Sequence, residues 1–441
     1  GRLNNNYAQI GHMGLSQTGS ATGEINVLAG GAVGVNSGNG WRSQAQIGHG
    51  IGGGQNDPDP RMGVGSLADT GQTPDGKFGG GQHHQFRAFA NNADLDDNTF
   101  RTGTLAGHMI SSTTLGSNYT GSGTLYGGGT SVTGVGDDID STLTGDITVT
   151  SETGAVTVRA FDGRTVGGED LQYTFAQIGH AGMTNGMQRV ISDGIITVQG
   201  TDILFQAGND SDGYAYAQLG HGGALSDGDH KGNIFATATT GKIEFLGGID
   251  TIWESDSVAN YAQLGHGGYD ADGSHSGNIM LNVGSNAGIG VNFVAGNTDR
   301  ASVQLGHGDI TVISTGGDIT FTGGGYGAGA DNMGRFHWTQ LGHGGYAAGG
   351  NHNGDITVRA GMAADGTVTN ATSSITFLAG GNSNDNSVER INYAQLGHGG
   401  RSATGSQGKV TDIITVYAGN DIVFTGGEGR ENYAHLGNGG Y

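Results

Sequence analysis

The chain has 441 residues, of which 93 are glycine, about three times ordinary usage, and only 3 are proline. Glycine does not recur at every third position, which excludes collagen, and alternating runs of Ile, Val, Leu and Phe with a charged fraction of 13% argue against disorder. A formal charge of −22 disfavours a nucleic-acid partner, the absence of cysteine excludes disulfides and thiolate metal sites, and no apolar run is long enough for a transmembrane helix.

In chain order, the first predicted strand lies in Tyr-Ala-Gln-Ile-Gly-His-Met-Gly at 7–14, and the phrase returns as Ala-Gln-Ile-Gly-His-Gly at 45–50. Residues 50–107 are too long for one plain repeat and carry Pro58, Pro60, Pro74, Asp94, Asp96 and Asp97. Proline cannot donate to a strand ladder, so this segment reads as a long loop excursion from the repeat. A worn copy of the phrase stands at Thr104-Leu105-Ala106-Gly107-His108, and residues 111–144 form a Gly/Ser/Thr-rich insertion, read as a side hairpin. From 145 to 441 the repeats are regular. Phe-Ala-Gln-Ile-Gly-His-Ala-Gly occupies 175–182, and Tyr-Ala-Gln-Leu-Gly-His-Gly-Gly stands intact at 216–223, 261–268 and 393–400. Further variants are Val-Gln-Leu-Gly-His-Gly at 303–308, Trp-Thr-Gln-Leu-Gly-His-Gly-Gly at 338–345 and Tyr-Ala-His-Leu-Gly-Asn-Gly-Gly at 433–440.

Two more strand phrases fall between copies. One reads Gly-Asp-Ile-Thr-Val, at 145–149, 308–312 and 354–358; the other ends in Phe-x-x-Gly, at 202–208, 242–247, 318–323, 374–380 and 421–426. Both alternate apolar and polar residues, the period of a half-buried strand. Three strands per unit of about 40 residues predict one all-β domain over 1–441, a right-handed parallel β-helix of roughly ten rungs. A β-propeller is the runner-up, but it needs four strands per blade.

The phrases Gly354-Asp355-Ile356-Thr357-Val358-Arg359-Ala360-Gly361 and Ser374-Ile375-Thr376-Phe377-Leu378-Ala379-Gly380-Gly381 resemble the repeats of filamentous-haemagglutinin-type proteins. Those are very large bacterial surface β-helices exported by two-partner secretion or related routes. The resemblance implies a shaft segment of a secreted, cell-surface adhesin or filament.

Stacked rungs place Gln9, Gln46, Gln177, Gln218, Gln263, Gln304, Gln340 and Gln395 in one column, where amides can hydrogen-bond from rung to rung. His12, His49, His180, His221, His266, His307, His343 and His398 form a second column at the corner, with Asn438 in the last place. Within a strand, Ala262 and His266 share the parity of the core residue Leu264, whereas Tyr261 and Gln263 point the other way. Imidazoles at rung spacing cannot all carry charge, so the column is expected to be neutral at pH 7 and to weaken the rod in acid. Both columns read as register-fixing ladders.

Metal binding is the contending reading. His230, His275 and His352 each lie nine residues after His221, His266 and His343, in loops that also hold Asp227 and Asp229, or Asp270 and Asp272. Imidazole with carboxylate holds zinc or copper; a loop-closing hydrogen bond explains the same offset. Loose acidic stretches at 209–213 and 137–140 suit weak calcium binding or solvated turns. No cofactor is required by any of these readings. A polysaccharide-acting enzyme ranks third, because no rung gathers a unique carboxylate pair beside Lys or Arg. Both ends of the chain carry the same rung phrase without a polar cap, so partners are expected to be the protein itself end to end, a longer parent chain, or surface and matrix glycans.

Overall fold

The structure is a computed structural model that describes residues 7–13, 20–38, 43–50, 122–124, 131–133, 141–161, 174–182, 190–208, 215–224, 226, 228–248, 260–268, 274–284, 288–296, 302–306, 308–324, 337–344, 352–380, 392–400, 406, 408–427 and 432–439. Glycine turns cut the chain into strands mostly of four or five residues, and each strand except the pair Ser122–Thr124 and Ser131–Thr133 lies beside its counterpart one repeat away. Almost every ladder among the described residues is parallel and joins successive repeats, the topology of a parallel β-helix. The antiparallel pairing inside a propeller blade is absent from these ladders.

Three long sheets run along the rod. The glutamine sheet stacks Tyr7–Ile10, Gln44–Ile47, Thr174–Ile178, Ala215–Leu219, Tyr261–Leu264, Ser302–Leu305, Trp338–Leu341, Tyr393–Leu396 and Tyr433–Leu436. The isoleucine sheet holds the Gly-Asp-Ile-Thr-Val phrases, from Ile25–Ala29 to Ile414–Ala418, and the phenylalanine sheet runs from Val33–Asn36 to Ile422–Thr425. A fourth, shorter sheet corrects the count of three strands per rung. Ala21–Thr22, Ser141–Thr144, Val190–Asp193, His230–Lys231 and His275–Ser276 pair between the glutamine and isoleucine sheets. Two-residue strands are invisible to a search for alternation, which needs at least four residues to register.

Register is strict. Gln46 pairs with Gln177, Gln177 with Gln218, and Gln340 with Gln395. Gln44–Ile47 pairs directly with Thr174–Ile178. The copy at Thr104–His108, with Pro58, Pro60, Pro74, Asp94, Asp96 and Asp97, lies outside the described residues. Within 111–144, Ser122–Thr124 and Ser131–Thr133 pair antiparallel, and Ser141–Thr144 belongs to the short sheet.

The inward residues of one rung, Ala176, Ile178, Ile196, Val198, Ile203 and Phe205, are buried in a continuous apolar core. Full burial of each larger side chain contributes about 1.5–3 kcal/mol, so stability grows with stacked rungs. Phe205, Phe245, Phe293, Phe321, Phe377 and Phe424 form a stack with ring centroids 4.6–5.2 Å apart. The isoleucine and phenylalanine sheets alternate buried and partly exposed positions, but strands such as Tyr261–Leu264 are buried at every position. Tyr216, Tyr261 and Tyr393, which point away from the core, are therefore not solvent-facing. Phe175, Tyr216 and Tyr261 stack at 4.9–5.0 Å, and Tyr393 stacks on Tyr433 at 4.9 Å.

Candidate functional site

The Gln-Leu-Gly-His turn ends each strand of the glutamine sheet. Gly220 has φ +151°, and a Cβ there would collide with the carbonyl oxygen of Gly265 one rung away. Only glycine lets the backbones approach this closely, and the bend turns the following histidine into the corner of the rod.

At that corner the imidazoles of His49, His180, His221, His266 and His398 each grip the preceding rung at two points. The main-chain N–H of His180 donates to Nδ1 of His221 at 2.9 Å, and Nε2 of His221 lies 3.0 Å from the carbonyl oxygen of Gly194. The same pair of contacts joins His266 to His221 and Gly232, at 3.0 and 2.7 Å. It joins His180 to His49 and Gly145, and His398 to His343 and Gly354. A main-chain N–H only donates and a carbonyl only accepts, so the geometry requires the neutral ring with its proton on Nε2. Rings of His12, His49, His180, His221 and His266 stack at 4.7–5.0 Å, whereas His343 and His398 are tilted by 59° at 4.7 Å. In the last copy Asn438 accepts the His398 N–H through Oδ1 at 3.0 Å. His307 lies outside the described residues.

Burial is the main cause of the electrostatics, ahead of repulsion between rings. It lowers His180 and His266 to about 4 and His343 to about 3, against the hydrogen bonds to Gly145, Gly232 and Gly308, which favour the charged form. His221 lies well below its ordinary value, from burial and then from the charges of His180 and His266. His49 and His398 are also lowered by burial.

The glutamine column works differently from an amide-to-amide ladder. Nε2 of Gln46, Gln177 and Gln218 donates to the carbonyls of Gly179, Gly220 and Gly265 one rung on, at 2.7, 2.8 and 3.1 Å. Gln9 reaches Gly48 at 2.9 Å, Gln340 reaches Gly399 at 2.7 Å, Gln395 reaches Gly439 at 2.6 Å and Gln304 reaches Gly344 at 2.5 Å. Gln263 donates to His266 and Gly267 of its own turn. Among the described residues, Oε1 of Gln46, Gln177, Gln218, Gln340 and Gln395 is buried without a partner. The side chains sew strand to turn, because turn carbonyls lie nearer to Nε2 than the next amide does.

The second histidine set falls in line with the short sheet. His230 pairs in register with His275, and their rings stack at 5.3 Å. Nε2 of His230 lies 3.0 Å from Ser226 Oγ, within its own loop, and Nδ1 lies 3.3 Å from Ser192 Oγ of the preceding rung. The rings lie against the glycine after each motif histidine: a Cβ on Gly222 would sit 2.6 Å from His230 Cδ2, and one on Gly267 would collide with His275. The main chain of His352 pairs with Ser406 and Gly408.

His266 senses the charge of His275, and His343 that of His352, so the structure brings these pairs into one neighbourhood. Yet both ring nitrogens of His221 and His266, and Nε2 of His343, meet main-chain partners rather than a shared centre. Asp229 accepts the Ser274 N–H at 3.1 Å; Asp227, Asp270, Asp272 and the acidic stretches at 209–213 and 137–140 lie outside the described residues. Among the described residues, no three His, Asp or Glu side chains converge as a metal site.

Sequence reasoning missed a third set of ladders. Oδ1 of Asp146, Asn233, Asn278, Asp309 and Asp355 each accepts the main-chain N–H at the matching position of the next rung, at 2.8–3.0 Å. The signal was present in the repeated Gly-Asp/Asn-Ile, where Asp and Asn interchange because only the shared carbonyl-type oxygen is used. Compared with family models, with curated proteins and with solved structures, the chain finds no match.

Proposed function

We propose that this chain is a shaft segment of an extracellular structural or adhesive element, a surface fibre, sheath or adhesin stalk of a bacterium. The observation that carries the reading is the continuity of its columns: glutamine, histidine, phenylalanine and Asx ladders repeat from rung to rung with one register. Such repetition makes a stiff rod whose rungs are interchangeable, which suits spacing and display. Turn carboxylates such as Asp202, Asp309 and Asp318 accept neighbouring main-chain N–H groups, a structural use that argues against catalytic roles for them. Partners under this reading are further rungs, in the same or another chain, and surface or matrix glycans met through segments thrown out from the rod.

The test is localisation together with shape. Antibody against the purified chain should label intact, unpermeabilised cells of the source organism, and negative-stain microscopy of the chain should show straight rods. Labelling only after permeabilisation, or compact particles in place of rods, overturns the reading.

A further inference from the structure

The histidine column has a property that neither the shaft reading nor its repeats require. Every described clamp uses Nδ1 as an acceptor of a main-chain N–H from the rung before it. The only place for an added proton on such a ring is that same Nδ1. Protonation would set two N–H groups face to face, remove a rung-to-rung hydrogen bond and place a cation in the core beside another imidazole 4.7–5.0 Å away. We propose that the imidazole column is an acid-operated release built into the solenoid: it holds rungs together while neutral and drives them apart when protonated.

The groups facing the column decide how the release is graded. His49 faces His12 and His180; His180 faces His49, His221 and Asp146; His221 faces His180, His266 and His230. His266 faces His221 and His275, and His230 faces His275 and His266. His343 faces His398, His352 and Asp412, and His398 faces Asp412 and Asp355. The middle of the column, from His221 to His275, is thus imidazole on imidazole, while carboxylates at Asp146, Asp355 and Asp412 favour the charged form nearby.

The sign follows from the lowered values. A histidine whose folded-state value lies below 6.5 stabilises the fold fully above about 6.5, and that contribution is lost as pH falls through the folded-state value. For His180 and His266, lowered to about 4, the unfolded-to-folded ratio rises by up to about 300-fold per site. His180 and His266 share His221 as a partner, so their contributions couple and do not simply multiply.

The experiment measures denaturant midpoints of the full chain from pH 7 to pH 3.5, for the wild type and for His180→Asn/His221→Asn/His266→Asn. Asparagine is chosen because Asn438 already accepts the same N–H. The wild type should lose most of its stability between about pH 6.5 and 4, and the triple variant should lose at least tenfold less in its folding constant. Equal losses in both proteins would assign the acid response to carboxylates and overturn the proposal. Should the variant not fold, nitrogen-15 spectra of wild-type histidine side chains decide: buried rings should stay neutral, protonated at Nε2, until the rungs open. Protonation near 6.5 with the fold intact overturns it.

Discussion

His221 and His266 are joined twice over: the His221 N–H donates to His266 Nδ1 at 3.0 Å, and their rings lie parallel with centroids 4.9 Å apart. A corner of the rod is held by one side chain that receives a hydrogen bond from one strand and gives one to another. Because His266 also reaches Gly232, it ties the end of a glutamine-sheet strand to the start of an isoleucine-sheet strand.

This double attachment separates two substitutions of His266. In His266→Asn the amide oxygen keeps the N–H bond and only the longer reach to Gly232 is lost. In His266→Ala, both the His221 N–H and the Gly232 carbonyl lose partners in a dry corner, and a cavity replaces the ring. An unsatisfied buried group costs about 1–3 kcal/mol. Urea melts at pH 7 should place His266→Ala about 3–5 kcal/mol below wild type and His266→Asn at about half that loss. Equal losses would show that the ring's volume matters and its nitrogens do not.

Gln44 is the irregular member of the aromatic column. Its register partners are Tyr7 and Phe175, and its side chain is 2% exposed. Among the described residues, neither end of its amide has a hydrogen-bond partner. Gln44→Tyr should add an aromatic contact, worth about 0.5–1.5 kcal/mol, and remove an unsatisfied amide. The midpoint of thermal unfolding is expected to rise by a few degrees. A fall would mean that the amide has a partner that the ring displaces.

Gly220 and Gly426 test the turn argument against each other. Gly220→Ala forces a Cβ onto the Gly265 carbonyl at a φ disfavoured for L-residues, whereas a Cβ on Gly426 meets nothing within 4 Å. The first should cost more than about 2 kcal/mol and the second should stay within about 0.5 kcal/mol of wild type. Circular-dichroism melts of the two variants suffice. Comparable effects would remove the close approach as the reason for that glycine.

Much of this architecture is legible in the order of residues, because a solenoid writes each structural role once per repeat. The Gln-Leu-Gly-His spacing places the corner histidines and the glutamines without any coordinates. What escapes the sequence is direction. Whether Gln177 donates to the next amide or to the Gly220 carbonyl follows from how tightly the turns nest. Burial of Tyr216 escapes for a related reason: alternation reports which face a residue takes, and it is silent on whether the outer face is itself covered. The short strand at His230–Lys231 is too short to show alternation, and the sequence marks it only by the nine-residue offset of His230 from His221.

The phenylalanine stack offers the most direct test of how far the rungs act as one unit. Phe293 is fully buried, with Phe245 and Phe321 at 5.2 and 4.9 Å on either side. Phe293→Ala removes a ring from a core that cannot collapse along the rod, since backbone ladders hold the rungs at their spacing. Large-to-small substitution of a buried phenylalanine costs about 3–5 kcal/mol, and here most of the cavity should persist. In a one-dimensional stack that loss falls on two interfaces, those with the rungs before and after. The expected calorimetric trace is therefore a split transition, with one segment melting earlier than the other. Phe293→Leu, which refills much of the space, should restore a single transition at an intermediate temperature. A single, unshifted transition for Phe293→Ala would mean that the ladders alone set the stability of the rod and that the ring stack contributes little.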